Sequence, residues 1–455
     1  MKKLCIAILG ATGVVGTEML KALEERDVPW GSLRLLAAPE EAGKKILFQG
    51  RELTVEGAHE DSFQGVDILL VAAANAISER FSPVAVRQGA IVIDNSSAYR
   101  LDPKVPLVVP EVNPQDIKTH SGIIANPNCS TIIAMVAVNP LYRRHRVKRM
   151  TVSTYQAVSG AGIRGLRELE QQVSAYLKGE ELEKDVFQHQ IAFNVIPHIE
   201  AFQENGYTKE EMKMHHEGRK ILHDDQLTVT CTCARVPVFR SHSESIQLVF
   251  DEEVDAAEAR ELLRDAPGVK LVDDPVHNVY PMPLDTSNQD LVYVGRLRQD
   301  LADRHALNLW CCGDQIRKGA AVNAVQIMQL VIQNYFPRAC LKESEDGYDE
   351  TGCIEVWRDV SSRCGFQAGC CCHYQRYEGN LRGTDCCGLC HGPERSSLCD
   401  RHAASSLWRR AGFTQKPGTG YDIRLRRNYF GVGAGAGAEY PGAQKCIFDR
   451  RAGWN

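Results

Sequence analysis

The glycine-rich segment GATGVVG at residues 10–16 restricts the fold of this chain more than any other feature. It follows an apolar run at 3–9 that has the length of a buried strand, and it precedes a helical pattern at 17–25. Glycines let the backbone of such a turn approach a pyrophosphate, and the next helix offers N–H groups to the anion. We therefore predict a dinucleotide-binding turn rather than an ordinary strand-to-helix turn. Its predicted cofactor contacts are Gly10, Thr12, Gly13, Val14, Val15 and Gly16.

The segments that follow repeat the order of strand and helix. The predicted elements are strands at 33–38, 67–73 and 90–94 and a helix near 78–88. This order is typical of an α/β fold, and it predicts a doubly wound dinucleotide-binding domain over residues 1–128. After the second strand of such a domain, the chain contacts the cofactor ribose, and here it contains Glu40 and Glu41.

The segment NPNCST places Cys129 between a strand-like apolar run and a helix-like one. Ser130 and Thr131 are residue types that cap helices, so we predict that a helix starts here. The N-terminus of a helix stabilises a thiolate, which would lower the pKa of Cys129 and make it a nucleophile. The alternative is a small buried residue, which is common for a free cysteine.

A second domain is predicted over residues 129–317, as an α+β catalytic and dimerisation domain with a mixed sheet. Its predicted elements are strands at 227–238, 243–250, 290–298 and 307–312, with charged or polar helices at 166–177 and 207–222. Gln156 lies at the end of a further strand, where a polar side chain can face a ligand. An apolar helix at 318–336 is expected to dock back on the first domain.

Five charged or titratable residues are further candidates for the site. Arg100 ends the polar segment IDNSSAYR and is either an anion clamp or a solvated surface residue. Arg235 and His242 bracket a short turn, and the near-neutral pKa of a histidine suits proton exchange. Glu217 and Lys220 share one helix face, where a surface ion pair is the alternative. The loop NVIPH is assigned only a place near the site.

Charge and cysteine content exclude several classes of protein. The formal net charge is -5 and no basic block stands out, so we predict a small-molecule substrate and no nucleic acid. The apolar segments are too short to span a membrane. Only a few cysteines precede residue 337, as expected for a reduced, cytoplasmic enzyme.

The composition changes after residue 336. Residues 337–455 contain clustered cysteines and arginines and a GAGAGAG run, without a hydrophobic period. We predict a disordered C-terminal extension and no metal site. The alternative is a zinc site, but the spacing fits no paired ligand pattern. Its ligands would be drawn from His373, Cys387, Cys390, His391 and Cys399.

Five segments closely resemble, in order and spacing, the bacterial aspartate-semialdehyde dehydrogenases: GATGVVG, DNSSAYR, ANPNCST, STYQAVSGAG and RVPVFRSHSES. The resemblance covers residues 1–336. It implies the NADPH-dependent reductive dephosphorylation of L-4-aspartyl phosphate to L-aspartate 4-semialdehyde and phosphate. This reaction belongs to the biosynthesis of lysine, diaminopimelate, threonine and methionine. The resemblance also implies a homodimer or higher homo-oligomer.

The resemblance implies a role for each candidate residue. Cys129 would form an acyl thioester, while His242 exchanges protons and Gln156 positions the substrate. The implied substrate contacts are Arg235 and Glu217 at the amino-acid end and Arg100 and Lys220 at the phosphate. The implied cofactor contacts outside the glycine turn are Glu40, Glu41, Ser159, Gly160 and Gln315.

The cofactor segment departs from the family pattern. NADP-preferring members usually have Arg and Ser where this chain has Glu40 and Glu41, and carboxylates repel a 2′-phosphate. We therefore expect NADP with a weakened preference, and use of NAD. Two other functions are alternatives: an N-acetylglutamyl-phosphate-type reductase and a catalytically silent dinucleotide-binding protein. The joint presence of Cys129, Gln156 and His242 argues against a silent protein.

Overall fold

Two β-sheets organise most of the chain, which a computed structural model describes over residues 3–26, 28–336, 374–377 and 380–383. The first sheet has seven strands: β1 (Cys5–Leu9), β2 (Ser32–Ala37), β3 (Lys45–Phe48), β4 (Arg51–Gly57), β5 (Ile68–Val71), β6 (Ile91–Asp94) and β7 (Ile123–Ala125). Their order is β3-β4-β2-β1-β5-β6-β7, and every neighbouring pair except β3 with β4 is parallel.

Helices cover both faces of this sheet. The two nearest in sequence are α1 (Val14–Glu25) and α2 (Asn75–Arg87). Along β1, Ile6 and Ile8 belong to the same core cluster as α1, whereas Ala7 and Leu9 belong to the cluster of α2. Because successive side chains of a strand point to opposite faces, the helices lie on opposite sides of the sheet. The predicted doubly wound domain is confirmed.

The hairpin formed by β3 and β4 was absent from the sequence-based prediction. Gln49 and Gly50 connect the strands, and both have positive φ values, of 47° and 73°. Two residues of this conformation form the tight turn that suits the twist of a hairpin. The strands lie at the sheet edge and carry charged, exposed residues, so their sequence lacks the apolar run of the central strands.

The second sheet has six strands and is mixed, as predicted. Its strands are β8 (Val147–Gln156), β9 (Thr228–Arg235), β10 (His242–Phe250), β11 (Val269–Leu271), β12 (Val292–Gln299) and β13 (Ala306–Gly313). They lie in the order β11-β12-β13-β10-β8-β9, with β8 parallel to β9 and β11 parallel to β12. The helices of this region are α3 (Cys129–Arg144), α4 (Gly162–Lys178), α5 (Lys209–Leu222), α6 (Ala256–Arg264) and α7 (Pro283–Thr286).

The largest hydrophobic core cluster of the described residues fills the space between this sheet and the helices α3, α5 and α6. Short 3-10 helices connect elements elsewhere, at Pro39–Glu41, Glu60–Phe63, Pro114–Thr119, Val158–Ala161 and Pro275–His277. No helix within the described residues is both long and apolar enough to cross a membrane.

The helix predicted at 318–336 has two parts. Arg317–Ala321 is a π-helical turn, and α8 (Val322–Tyr335) continues from it. Within the turn, the N–H of Gly319 donates to the carbonyl of Asp314, five residues earlier. A π-bulge of this kind is frequent at functional sites. Helix α8 packs against α1 and β6, which places it on the first sheet.

Two further strands are described beyond residue 336. They are β14 (Tyr374–Tyr377) and β15 (Asn380–Gly383), which pair antiparallel within a separate unit of the chain. The predicted disorder of the extension and the alternative zinc site both concern 337–455. Apart from these two strands, that segment lies outside the described residues.

Candidate active site

A cavity of about 340 Å³ opens beside the start of α3. It brings together four predicted site residues, Cys129, Gln156, Gly160 and Arg235, with three charged residues that the sequence-based interpretation did not assign. Those three are Glu200, Glu210 and Lys213. His198 of the loop NVIPH also lines the cavity, as predicted for that loop, and so does the aromatic ring of Phe187.

Cys129 is the first residue of α3. The cap of this helix is Asn128, whose side-chain oxygen accepts the backbone N–H groups of Ser130 (3.0 Å) and Thr131 (3.3 Å). The sequence-based prediction assigned the cap to the two hydroxyl residues, which instead lie inside the first turn. The structure nevertheless has Cys129 at the N-terminus of a helix, as predicted.

The predicted low pKa of Cys129 is wrong for the protein alone. Burial of the thiol raises its pKa to about 12, and the negative charge of Glu210 acts in the same direction. The side chain contacts the cavity but is otherwise surrounded by protein, so desolvation outweighs nearby cations. Those cations, which lower the pKa, are Arg100, Arg235 and Lys213. The thiol is therefore the neutral form at pH 7.

His242 lies next to the cavity as a neutral imidazole. Burial lowers its pKa to about 3, and the charge of Arg235 contributes to the decrease. Its Nδ1 accepts the backbone N–H of Ala157 at 3.0 Å, so the ring proton lies on Nε2. The Nε2 atom is 3.5 Å from the amide nitrogen of Gln156. The Nε2–H of His242 therefore faces Gln156, which lines the same cavity as Cys129.

Gln156 is held from two sides. Its Nε2 donates to Glu210 at 3.1 Å, and its Oε1 accepts the hydroxyl of Thr154 at 3.0 Å. Arg235, at the end of the neighbouring strand, donates to the carbonyl of Ala157 at 2.8 Å. A side chain at Gly160 would collide with this guanidinium, since an added Cβ would lie 2.8 Å from its Nη1. The strand ends of β8 and β9 thus fix both polar side chains.

Arg100 and Glu217 form a buried ion pair behind the nucleophile. Arg100 Nη1 lies 3.3 Å from Glu217, and its Nη2 donates to the carbonyl of Asn95 at 2.8 Å. The second carboxylate oxygen of Glu217 accepts the backbone N–H of Asn128 at 2.7 Å. Burial raises the pKa of Glu217, although Arg100 opposes this. Glu217 is not among the residues lining the cavity.

Lys220 does not reach the cavity that contains Cys129. Its ammonium donates to three backbone carbonyls, those of Arg100 (2.8 Å), Asp102 (2.7 Å) and Val105 (2.7 Å). An ammonium has three protons, so all of them are used within the loop that follows Arg100. The phosphate role predicted for Lys220 therefore has no support in this arrangement.

Glu210 and Lys213 are the acidic and basic residues of α5 that line the cavity. The sequence-based interpretation expected Glu217 and Lys220 in that position. Both pairs have a carboxylate three residues before a lysine on α5, and they are seven residues apart. Two helical turns of seven residues return to nearly the same face, so the motif alone does not distinguish the pairs. The earlier pair lies near the cap of α3 and the strand end at Gln156, which only the fold reveals.

Glu210 is a buried carboxylate with a complete set of partners. Its Oε1 accepts N–H groups of Asn128 and Gln156, both at 3.1 Å, and its Oε2 pairs with Lys213 at 3.0 Å. Burial alone would raise the pKa of Glu210, but Lys213 and the hydrogen bonds lower it to about 2. Lys213 also pairs with Glu200 at 2.6 Å. Glu210 and Lys213 thus form a linked set of charges at the wall of the cavity.

The glycine turn has the geometry of a nucleotide site. Gly10 has a φ of +89°, and a Cβ added there or at Gly16 would overlap backbone atoms. Helix α1 begins at Val14 after Gly13, and no side chain caps it. The N–H groups of its first turn, which include Val15, are therefore open to an anion.

Glu41 lies against the glycine turn. Its carboxylate accepts the hydroxyl of Thr12 and pairs with Lys44 at 2.7 Å. These partners lower its pKa, so the group is charged. Glu40 is exposed in the same 3-10 turn. A carboxylate thus lies at the end of the turn where the ribose of a dinucleotide would bind.

Ser159 and Gln315 are joined to each other beside Gly160, which lines the cavity. The amide of Gln315 donates to Ser159, and its oxygen accepts the backbone N–H of Ser241 at 2.8 Å. Gly319 of the π-helical turn packs on the nucleophile, since an added Cβ would lie 3.0 Å from the Cβ of Cys129. Across the parts of the chain that the structure describes, no group of three or more ligating side chains could hold a metal ion.

Comparisons with known proteins agree with this arrangement. The family model "Semialdehyde dehydrogenase, NAD binding domain" matches residues 5–120, and "Semialdehyde dehydrogenase, dimerisation domain" matches 138–318. The aspartate-semialdehyde dehydrogenase of Aquifex aeolicus is 51% identical over 332 residues, covering 72% of this chain and 98% of the relative. That of Bacillus subtilis is 47% identical over 332 residues, covering 71% and 96%.

This chain is also similar to solved structures of such enzymes. Aspartate semialdehyde dehydrogenase II of Vibrio cholerae, complexed with ASA, has a TM-score of 0.72 and 42% sequence identity. The match covers 74% of this chain and 100% of that chain.

A glycine turn of an NAD-binding domain, joined to a domain that holds a cysteine at a helix start, defines an oxidoreductase. The relatives make the assignment narrower: this chain belongs to the aspartate-semialdehyde dehydrogenase family.

Proposed function

We propose that this chain reduces L-4-aspartyl phosphate to L-aspartate 4-semialdehyde, with release of phosphate, through a thioester at Cys129. The observation that carries the proposal is the cavity itself, which combines a cysteine with charges that match both ends of this substrate. The reaction would serve the biosynthesis of lysine, diaminopimelate, threonine and methionine, in the cytoplasm.

The cavity charges match an amino acid. Arg235 is assigned to the α-carboxylate, because a guanidinium binds a carboxylate through two parallel hydrogen bonds. Glu210 is assigned to the α-ammonium, in place of the Glu217 of the sequence-based interpretation. Lys213 and Arg100 are assigned to the phosphate, because together with Arg235 they are the cations whose charges lower the pKa of the Cys129 thiol. Burial is the main cause of the raised pKa of Cys129, and the charge of Glu210 adds to it; an ammonium bound beside Glu210 would offset that second contribution and so favour the thiolate.

The first chemical step is acyl transfer. The sulfur of Cys129 attacks the acyl carbon, the bond from that carbon to the phosphate oxygen breaks, and the thiol proton leaves with the phosphate group. Arg100 and Lys213 stabilise the charge on the departing phosphate. Gln156 orients the carbonyl beside the sulfur, since both of its own amide atoms are fixed.

The second step reduces the thioester. The glycine turn at Gly10, Gly13 and Gly16 would hold a nicotinamide dinucleotide, which would provide the hydride for the acyl carbon. The Nε2–H of His242 donates a hydrogen bond to the negatively charged oxygen of the resulting tetrahedral species, and its proton stays on the imidazole while the aldehyde forms. The sulfur leaves as a thiolate, takes up one proton and is restored as a thiol. A neutral imidazole with its proton on Nε2 is the form that this order of events requires.

Glu41 supports a weakened preference for NADP. Its charged carboxylate lies at the glycine turn, where a 2′-phosphate would meet repulsion, while a ribose hydroxyl would find an acceptor. Steady-state kinetics with NADPH and NADH measure this directly. A kcat/KM advantage for NADPH above about a hundredfold would contradict the assigned effect of Glu41.

A homodimer is proposed from the matched dimerisation domain. On the outer face of the second sheet, the rings of Tyr155 and Trp310 lie 5.4 Å apart, and Tyr155 is 39% exposed. A second copy would bury this aromatic pair. Light scattering of the purified protein tests the proposal, with Tyr155→Lys expected to weaken the dimer and a monomeric wild type contradicting it.

The activity is tested in the reverse direction. Aspartate semialdehyde, phosphate and NADP or NAD should give reduced cofactor at a rate that depends on phosphate. Cys129→Ser should abolish the signal, whereas Cys5→Ser, which changes another partly exposed cysteine, should leave it intact. Reduction that proceeds without added phosphate at the same rate would contradict the proposal.

A further inference from the structure

Glu217 occupies a place behind the nucleophile that a substrate does not reach. It is 1% exposed and does not line the cavity of Cys129. Both of its carboxylate oxygens are nevertheless used, one by the backbone N–H of Asn128 at 2.7 Å and one by Arg100 at 3.3 Å. A buried carboxylate without such partners is costly. The backbone N–H of Asn128 and the guanidinium of Arg100 are therefore the groups through which Glu217 can act.

Asn128 sets the position of the sulfur. Its backbone precedes Cys129 directly, its side-chain oxygen caps α3, and its amide donates to Glu210 at 3.1 Å. The side chain is therefore fixed by the helix and by the cavity wall. Its backbone N–H is fixed by Glu217. A displacement of a reacting group by about 1 Å reduces a rate by about a hundredfold.

Arg100 is aimed by the same carboxylate. Its Nη1 faces Glu217 and its Nη2 donates to the carbonyl of Asn95. Its Nε is buried and has no hydrogen-bond partner among the residues described. Glu217 thus holds one edge of the guanidinium, while the Nε–H of the group is left without a hydrogen-bond partner among the described residues.

The geometry points to Glu217 as a positioning residue that fixes Cys129 through Asn128 and orients Arg100 for an anion. This role rests on the proposed function and deepens it. A positioning role is different from direct contact with the substrate, which is the role that the family resemblance implied for Glu217. A substrate contact would control KM for the amino acid, whereas a positioning residue controls kcat and the reactivity of the thiol.

Glu217→Gln is the test, because an amide keeps the size of the side chain but has one acceptor for two donors. The matched control is Glu211→Gln on the same helix. Glu211 is also buried and also accepts two backbone N–H groups, of Thr208 (2.7 Å) and Cys233 (3.0 Å), but it does not touch Asn128 or Arg100. The melting temperature of both variants reports any general loss of stability.

We expect kcat of Glu217→Gln to fall between tenfold and a hundredfold, with KM for aspartate semialdehyde changed less than threefold and KM for phosphate raised. Glu211→Gln should stay within threefold of the wild type in all three. A kcat within twofold of the wild type overturns the inference. An effect confined to KM for aspartate semialdehyde also overturns it, because that is the signature of substrate contact.

Alkylation of Cys129 by iodoacetamide, followed by mass spectrometry, gives a readout that needs no substrate. In Glu217→Gln, the charge of Arg100 is no longer neutralised, so the alkylation rate should rise at least threefold while kcat falls. An unchanged alkylation rate contradicts the role of Glu217 whether or not the wild type acts on aspartate semialdehyde. A wild type without phosphate-dependent activity contradicts the proposed function instead.

Discussion

Removal of the Lys213 charge should destabilise the protein, because Glu210 is then left buried without its counter-ion. The two groups are 3.0 Å apart, and the carboxylate has side-chain exposure of only 6%. Lys213→Met keeps the length and apolar stem of the side chain and removes the ammonium. The perturbation therefore isolates the charge of the pair from its packing.

The magnitude follows from the pKa of Glu210. Burial would raise it, but Lys213 and the hydrogen bonds hold it at about 2, against an ordinary value of 4.5. That difference corresponds to about 3 kcal/mol of stability. Because the pKa is depressed in the folded protein, this stability is fully present above pH 4.5 and is lost as the pH falls through about 2. Removal of one partner of a buried pair costs roughly 3–5 kcal/mol, which agrees with that estimate.

Urea unfolding at pH 7 and one protein concentration measures the effect. We expect Lys213→Met to lower the free energy of unfolding by about 3 kcal/mol. In the double variant with Glu210→Gln, the charge that needs a partner is gone, so part of the loss should be recovered. A double-mutant cycle should give a coupling energy of at least about 1 kcal/mol. Additive effects within about 0.5 kcal/mol would refute the reasoning.

Four other outcomes are expected. Glu41→Arg should raise the ratio of kcat/KM for NADPH over NADH at least tenfold, and an unchanged ratio would remove Glu41 from cofactor selection. Between pH 5 and 7, kcat/KM should show no acid limb due to His242, whose pKa of about 3 keeps it neutral above that pH; a limb with an apparent pKa near 6 contradicts this. Gly319→Ala should lower stability by about 1–3 kcal/mol in urea unfolding, since the added methyl group meets Cys129 at 3.0 Å; an unchanged midpoint refutes the close packing. Arg317→Met removes the ion pairs of 2.8 and 2.7 Å with Glu18 and Asp290, which keep Arg240 and Arg26 as partners, and should cost about 1–3 kcal/mol, whereas a loss below about 0.5 kcal/mol would show that the Arg317 pairs add little.

The fold was predictable because its signals are local. An apolar strand, a glycine turn and a helix follow one another at the N-terminus, and the position of Gly10 and Gly16 leaves few other conformations. The strands at the centre of the sheet are buried on both faces, so their sequences are continuous apolar runs. The edge hairpin around Gln49 lacks such a run, and only its turn carries a signal.

The site was predictable only in part, because its geometry depends on contacts between distant segments. Cys129 was located from its own neighbours, but its pKa depends on burial and on Glu210, which is 81 residues away in the chain. The choice between Glu210 and Glu217 could not be made from spacing, since residues seven apart share a helix face. The π-helical turn around Gly319 also left no periodic signal, because one inserted residue changes the helix without changing its composition.

The acyl enzyme at Cys129 is the central claim, and one experiment measures it directly. Wild-type protein is mixed with aspartate semialdehyde and NADP without phosphate, quenched in acid and digested for mass spectrometry. We predict a burst of reduced cofactor close to one equivalent per active site and an aspartyl group on the peptide that contains Cys129. Added phosphate should remove that group and restore turnover. A burst without any modification of Cys129, or the same burst in Cys129→Ser, would contradict the account.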